Sequence, residues 1–252
     1  MFISCGKDKK EQIEEETVTE GSALVFTAKT YERQTAKPCP QDKCTSVKIE
    51  VPLAEGVPVV ADSINKGIFN VARSIIFFGE KPSDAANYED LMDSFITSYE
   101  ELKRDFPDDP SMGWEANFKA GIDYKSDNII GIKINHYTFT GGAHGYEGDR
   151  SLLFNSKTGR QYSYSNLFTD VNTFTQYAES KFREKYKIPA GKSINANGLM
   201  FENDTFALPK NIFFKEKGIL LLYNRYEVSA YAEGTKELLI PYSEANQYLK
   251  VK

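Results

Sequence analysis

A histidine flanked by glycines, His144, is the residue of this chain best suited to chemistry. It lies in the segment Tyr137–Tyr146, which reads YTFTGGAHGY and places three glycines around the imidazole. Glycine tolerates positive φ and allows close approach of other groups to the backbone, so the segment predicts a hairpin tip. An exposed imidazole titrates near neutrality and can act as a base or as a binding group.

Catalysis by His144 would require further groups. A general base needs a nucleophile or an activated water and an orienting partner, for which Glu147 or Asp149 across the hairpin is a candidate. The sequence has no Gly-x-Ser-x-Gly elbow, Ser-x-x-Lys or His-Glu-x-x-His motif, and the glycine segment lacks the ending of a phosphate loop. A non-catalytic role is therefore favoured, and a cell-wall-acting hydrolase or deacetylase that uses His144 is the alternative.

A metal site has little support in the sequence. The chain has two histidines, His136 and His144, and a zinc site built on both would need a carboxylate such as Glu147 or Asp149. Catalytic zinc generally has three protein ligands in a defined geometry. His136 shares a predicted strand face with Ile134, so we expect it at the edge of the core with a satisfied hydrogen bond. We expect no metal and no cofactor.

The three cysteines form one pair and one single residue. Cys39 and Cys44 lie in the polar loop KPCPQDKC, where a small disulfide ring is favoured over free thiols and over a zinc site that lacks further ligands. Cys5 stands in FISCG, which resembles the end of a bacterial lipoprotein signal peptide with its lipidated cysteine. Only four residues precede Cys5, so either the true start lies upstream or this resemblance is accidental. Acylation would anchor the protein without spanning the membrane.

Composition excludes two classes of protein. The 252 residues carry a net charge of −5, which argues against a nucleic-acid surface because such a surface needs a concentrated basic patch. No apolar stretch approaches the roughly 18 residues that a membrane-spanning helix requires. Hydrophobic residues make up 40% and charged residues 27%, the balance of a folded globular protein.

Hydrophobic periodicity predicts an α+β fold of two units, each an antiparallel sheet packed with helices. Residues 1–21 are a polar, lipoprotein-like tether, 22–112 an N-terminal α+β unit, and 113–252 a C-terminal α+β unit that carries the hairpin. The predicted strands are 22–35, 46–53, 114–124, 130–139, 150–155, 206–214, 218–228 and 238–240. The predicted helices are 59–78, 84–106, 167–186 and one that opens at residue 241.

Aromatic residues accompany the glycine-rich tip. Tyrosine supplies contact area at low entropic cost, so tyrosines near the hairpin are candidates for a recognition surface. The same side chains would alternatively fill the core between sheet and helix, and both interpretations stay open. The candidate binding residues are Tyr137, Gly141, Gly142, His144, Gly145, Tyr146, Tyr226 and Tyr231.

The hairpin and the C-terminal segment resemble a known pair of extracytoplasmic domains. The matching segments are YTFTGGAHG at 137–145, LF at 167–168, YEVSAYAEG at 226–234 and IPYS at 240–243. The pair occurs in RsiV-type lysozyme-sensing anti-sigma factors, in the non-catalytic part of some peptidoglycan deacetylases, and in stand-alone bacterial lipoproteins. The N-terminal unit is similar to the usual partner domain through the spaced cysteines before VKIEVP at 47–52.

This resemblance implies an α+β fold, export from the cytoplasm, and binding or sensing. The anti-sigma relatives bind lysozyme directly, and the catalytic metal domain of the deacetylases is separate, so the resemblance implies no enzymatic activity here. We therefore expect a lipid-anchored envelope protein, periplasmic or on the cell surface, that recognises a lysozyme-like protein or peptidoglycan. A structural envelope lipoprotein is a further alternative.

Overall fold

The predicted α+β class is confirmed. A computed structural model describes residues 23–39, 43–107 and 113–251, which form two sheets with helices packed against them. Cys5 and the predicted tether 1–21 lie outside the described residues. Within the described ranges, no helix combines the length and the apolar character that crossing a bilayer requires.

The elements follow the predicted order. The first sheet contains β1 Val25–Gln34, β2 Ser46–Glu55, β3 Glu115–Lys125, β4 Ile129–Phe139 and β5 Tyr146–Asn155. The second sheet contains β6 Asn211–Lys215, β7 Gly218–Tyr223 and β8 Lys236–Pro241. The helices are α1 Pro58–Ile75, α2 Tyr88–Asp105, α3 Tyr164–Leu167, α4 Val171–Lys185 and α5 Tyr242–Ala245.

One strand pairing differs from the expected antiparallel pattern. The first sheet has the order β1-β2-β3-β4-β5, and β2 runs parallel to β3 while every other neighbouring pair is antiparallel. Parallel neighbours need a long crossover connection, and α1 and α2 supply it between β2 and β3. The first sheet is therefore mixed, whereas the second is antiparallel as predicted. The pairing joins strands on either side of residue 112, where the division into units stays a prediction.

Each face of the first sheet contributes to a different core. Alternate residues of β2, Val47, Ile49 and Val51, are buried against the stripe of α1 that includes Ile64 and Ile68. A half-buried strand has side chains of period two and a helix has a stripe of period 3.6, which is why the sequence predicted both elements. On this face the two helices complete the first core.

The second core lies on part of the opposite face. Ile129 and Leu153 of the first sheet pack there with Phe174 and Phe182 of α4 and with Tyr223 of β7. Successive residues of a strand point to opposite faces, so the first sheet is covered by helices on one side and by the second sheet on the other. The covered part of the second face is the end of β3–β5 that carries Ile129 and Leu153.

Two predicted elements have other bounds than expected. The helix predicted over 167–186 begins only at Val171, because Asp170 accepts a hydrogen bond from the Thr173 backbone N–H at 2.5 Å and caps α4, while Leu167 ends the short helix α3. The predicted strand 218–228 stops at Tyr223, because the next side chain bonds to the edge of the first sheet instead of extending β7.

The predicted disulfide is present. Cys39 and Cys44 are bonded, with their Cα atoms 5.0 Å apart. The Thr35 backbone N–H donates to the Thr45 carbonyl oxygen at 2.9 Å next to the ring, so the bond closes the connection between β1 and β2.

Candidate functional site

The glycines of the hairpin tip are needed for two different reasons. Gly141 and Gly142 have φ values of 106° and 87°, which lie in the left-handed region that favours glycine. A Cβ atom at either position would have no neighbour within 4 Å. Gly145 serves another purpose, since a Cβ there would lie 2.5 Å from the ring of Tyr137. The expected need for glycine is therefore confirmed, with backbone conformation as the reason at two positions and close packing at the third.

The tip places His144 against the C-terminal part of the chain. The exposed imidazole stacks on the ring of Tyr231, with ring centroids 4.7 Å apart and planes inclined by 23°. Its Nδ1 lies 2.9 Å from the Gly145 carbonyl oxygen, which accepts a hydrogen bond when Nδ1 carries the proton. The structure thus joins two segments that the sequence separates by more than eighty residues.

A second tyrosine extends this stack. The Tyr226 ring lies 5.3 Å from that of Tyr231, and 54% of Tyr226 is exposed. Tyr226 has a φ of 65°, an uncommon conformation for a bulky residue, so the backbone turns sharply at this point. We call His144, Tyr226 and Tyr231 the aromatic cluster.

An arginine, Arg225, packs against the Tyr231 ring of the aromatic cluster. The Arg225 guanidinium carbon lies 4.7 Å from the centroid of the Tyr231 ring, within the range of a cation–π interaction. Its Nη1 donates to the Tyr231 hydroxyl at 3.2 Å and also pairs with the Glu147 carboxylate. Arg225 therefore connects the ring of Tyr231 to the edge strand β5. Sequence reasoning missed this arginine, because it placed residue 225 within the predicted strand 218–228 and its partner Glu147 lies on β5.

The other two candidate tyrosines do not join the aromatic cluster. Tyr137 covers Gly145 and lines a cleft on the first sheet. Tyr146 is partly buried beside His136, with ring centroids 5.7 Å apart, and burial raises the pKa of its hydroxyl. The predicted set of binding residues is thus divided between an exposed cluster and the base of the hairpin.

His136 occupies the predicted position but lacks the predicted hydrogen bond. Its side chain is 5% exposed, and within the described ranges neither ring nitrogen has a hydrogen-bond partner. The reason is local, since its cross-strand neighbours are Phe118 and Gly148, which have no polar side chain. Burial, with a smaller contribution from the charge of Arg150, lowers the pKa of His136 to about 4. The imidazole is therefore neutral at physiological pH.

The two carboxylates proposed to assist His144 are engaged elsewhere. Glu147 pairs with Arg225, while Asp149 lies 3.1 Å from Lys133 Nζ and accepts a hydrogen bond from Asn135. Within the described part of the chain, no carboxylate is hydrogen-bonded to His144, and no three potential ligands cluster as a metal site would require. The geometry therefore places neither Glu147 nor Asp149 as a partner of the His144 imidazole.

A buried asparagine fixes the loop that carries the cluster tyrosines. Asn224 follows β7 and is 2% exposed. Its Oδ1 accepts from the Asp149 backbone N–H at 2.8 Å, and its Nδ2 donates to the Asp149 carbonyl oxygen at 3.0 Å. The amide thus imitates a strand partner for the free edge of β5, and the next residues, Arg225 and Tyr226, are held beside the hairpin. Sequence reasoning missed this residue, since it placed Asn224 within the predicted strand 218–228 and its partner lies on β5.

Two family models match separate parts of the chain. The family model "Deacetylase PdaC" matches residues 39–147, which include the hairpin, and "Protein of unknown function (DUF3298)" matches residues 165–243, which include Tyr226 and Tyr231. No curated protein matches the chain.

Two crystal structures share the fold. A DUF3298 family member from Bacteroides fragilis has a TM-score of 0.68 at 20% identity, with 92% of this chain and 95% of that chain covered. A DUF3298 family protein from Pseudomonas aeruginosa has a TM-score of 0.58 at 16% identity, with 91% and 94% covered. The chain thus carries a PdaC-type domain followed by a DUF3298 domain, the pair that its sequence resembles.

Proposed function

We propose that this protein is a lipid-anchored, non-catalytic binding or sensing protein of the bacterial cell envelope that recognises a lysozyme-like protein. The observation that carries the proposal is the aromatic cluster, in which His144 from the hairpin stacks on Tyr231, which in turn contacts Tyr226. One side of the contact lies in the PdaC match and the other in the DUF3298 match.

The chemistry of the aromatic cluster suits protein recognition. Tyrosine and arginine are enriched among the residues that dominate binding energies at protein interfaces. Here Arg225 is already fixed by Glu147 and by the hydroxyl of Tyr231, so little side-chain entropy remains to be lost on binding. Tyr226 is 54% exposed and His144 is exposed, so the surface offers aromatic rings together with polar groups, a combination that suits an interface with a wet rim.

Location outside the cytoplasm has independent support. Disulfides such as Cys39–Cys44 persist in oxidising compartments and are rare in the cytosol of most organisms. The PdaC-type domain points to the same compartment. Attachment through an acylated Cys5 is our proposal for how the protein is held at the membrane.

The hydrolase alternative has weaker support from the geometry. His144 stacks on a tyrosine and contacts a backbone carbonyl oxygen, whereas the carboxylates that would orient it pair with Arg225, Lys133 and Asn135. His144 thus lacks the carboxylate assistant that this alternative requires.

Calorimetric titration of the full chain with a purified lysozyme tests the proposal. We expect saturable binding by the wild-type protein and at least about tenfold weaker binding by Tyr231→Ala, a loss of roughly 1.4 kcal/mol. Phe106→Ala removes an aromatic side chain that is 60% exposed and is the matched control, which should bind normally.

Two outcomes would count against the proposal. A folded wild-type protein that does not bind lysozyme would remove this partner, and equal affinity of Tyr231→Ala and wild type would remove the aromatic cluster as its site. Release of acetate or of soluble fragments from peptidoglycan that is lost in His144→Asn would instead support the hydrolase or deacetylase alternative.

A further inference from the structure

The part of the first sheet that the second sheet leaves uncovered carries a transverse row of polar side chains. The strand register places Glu32 opposite Lys48, Lys48 beside Asn117, Asn117 opposite Tyr137, and Tyr137 opposite Glu147. Residues paired across neighbouring strands share a face, so one member from each of the five strands contributes to this row. The row lies on the face opposite to α1 and α2.

Three clefts follow this row and meet at shared residues. The first, of about 540 Å³, adjoins the second, of about 290 Å³, at Lys48 and Asn117. The second adjoins the third, of about 420 Å³, at Asn135 and Glu147. Strands lie about 4.8 Å apart, so the combined depression crosses roughly 19 Å of sheet. We call it the sheet groove.

The second sheet and the loop after β7 close one end of the sheet groove. Asn224, Arg225 and Thr235 line the third cleft. Lys133, which pairs with Asp149 of that cleft, has its Nζ 5.7 Å from the centroid of the Phe213 ring of β6. The opposite end of the sheet groove lies at the edge strand β1, beside Glu32 and Arg33. The groove is therefore open at one end and walled at the other, a shape that admits a linear molecule along its length.

The charges in the sheet groove compensate one another. Lys48 Nζ lies 3.3 Å from Glu32 and 3.9 Å from Glu50, and Lys119 Nζ lies 4.0 Å from the same Glu50. At the closed end, Arg225 pairs with Glu147. A site for a phosphate or a polycation would leave an excess of one sign, whereas this groove offers hydrogen-bond donors and acceptors with little net charge.

The backbone of the groove floor is occupied by strand pairing. An extended peptide gains most of its affinity by adding a strand to a free sheet edge, and the sheet groove lies on a face whose inner strands are paired on both sides. Recognition there must use side chains. Asn117 and Asn135 provide amides, and Tyr137, held against Gly145, adds a flat apolar ring.

We propose that the sheet groove binds a linear, uncharged, hydroxyl-rich oligosaccharide that lies across the strands. Amide and paired ionic side chains match sugar hydroxyl and amide groups, and the ring of Tyr137 matches the apolar face of a sugar ring. This site lies on the sheet face and adjoins the aromatic cluster at Arg225, and its ligand belongs to another chemical class than the protein partner proposed above.

Titration of the full chain with a linear oligosaccharide of N-acetylglucosamine, followed by calorimetry, tests the inference. We expect saturable binding, an affinity about tenfold lower for Asn117→Ala, and unchanged affinity for Asn70→Ala, an exposed asparagine of α1 that serves as the matched control. Circular dichroism confirms that each variant is folded.

A second titration uses the deacetylated, cationic form of the same oligosaccharide. Charge compensation in the sheet groove predicts that this form does not bind more tightly than the neutral form at low salt. Absence of binding of the neutral sugar to folded wild-type protein, equal affinity of Asn117→Ala and wild type, or a clear preference for the cationic form would each overturn the inference.

Discussion

Mild acid should destabilise this protein through one buried histidine. The pKa of His136 is about 4 in the folded protein, against an ordinary value of 6.5 that we expect in the unfolded chain. Between these values the unfolded chain binds a proton that the folded protein does not bind. The free energy of unfolding therefore falls as the pH drops below 6.5, and the loss is complete below the folded pKa.

The size of the effect follows from the difference between the two pKa values. Each pKa unit corresponds to about 1.36 kcal/mol, so full protonation costs roughly 3 kcal/mol of stability. Between about pH 7.5 and about pH 5.5 the expected loss is roughly 1.4 kcal/mol, because only part of the interval has been crossed. Solvent screening reduces this value little, since His136 is 5% exposed.

Urea unfolding at the two pH values measures this loss. Trp114 is the single tryptophan of the chain and is fully buried, so its fluorescence reports unfolding. His136→Gln should remove most of the pH dependence in this window, whereas His144→Gln, which removes the other histidine, should retain it. An equal loss of stability in wild type and His136→Gln would refute the assignment of the low pKa to the buried imidazole.

Three further changes test the packing around the hairpin and the loops. Asn224→Ala removes both side-chain bonds to the Asp149 backbone and should lower the free energy of unfolding by about 1–3 kcal/mol in urea denaturation. Gly145→Ala forces a Cβ against the Tyr137 ring and should cost about 1–3 kcal/mol, while Gly121→Ala, which meets open space, should change stability by less than about 0.5 kcal/mol. Reduction of the disulfide should cost at most about 2 kcal/mol because its ring is small, and comparison of Tm with and without reductant measures this. A larger fall for Gly121→Ala than for Gly145→Ala, or no fall for Asn224→Ala, would contradict the packing described.

Local patterns in the sequence were sufficient for the elements and the class. Alternation in β2 predicted which of its side chains face the core. The alternation in β4 likewise placed His136 correctly on the buried face of that strand. The parallel pairing of β2 with β3 was not predictable, because periodicity describes one strand at a time and carries no information about a partner some seventy residues away. The break before α4 depends on a single capping side chain, Asp170, which a continuous helical stripe conceals.

Prediction of the site had the same limit, because local patterns carry no information about partners that are distant in the sequence. The hairpin and the segment that contains Tyr226 and Tyr231 stood out in the sequence because they are rich in glycine and tyrosine. The structure brings these two segments together. The residues that hold them in place, Arg225 and Asn224, carry no sequence signal because their partners lie on β5. The sheet groove was also missed, since its row of side chains exists only once the register of all five strands is known.

The parallel pairing of β2 with β3 determines how this protein can be divided for experiments. A cut between residues 107 and 113 would expose the inner edge of β2 in the first fragment and the facing edge of β3 in the second. Unpaired edges of this kind recruit strands from other molecules, so each fragment alone would tend to aggregate. The two edges are nevertheless complementary in register over five residue pairs, from Ser46 with Glu115 to Glu50 with Lys119. Co-expressed halves would therefore be expected to recombine, which makes this connection a natural split point for a complementation reporter.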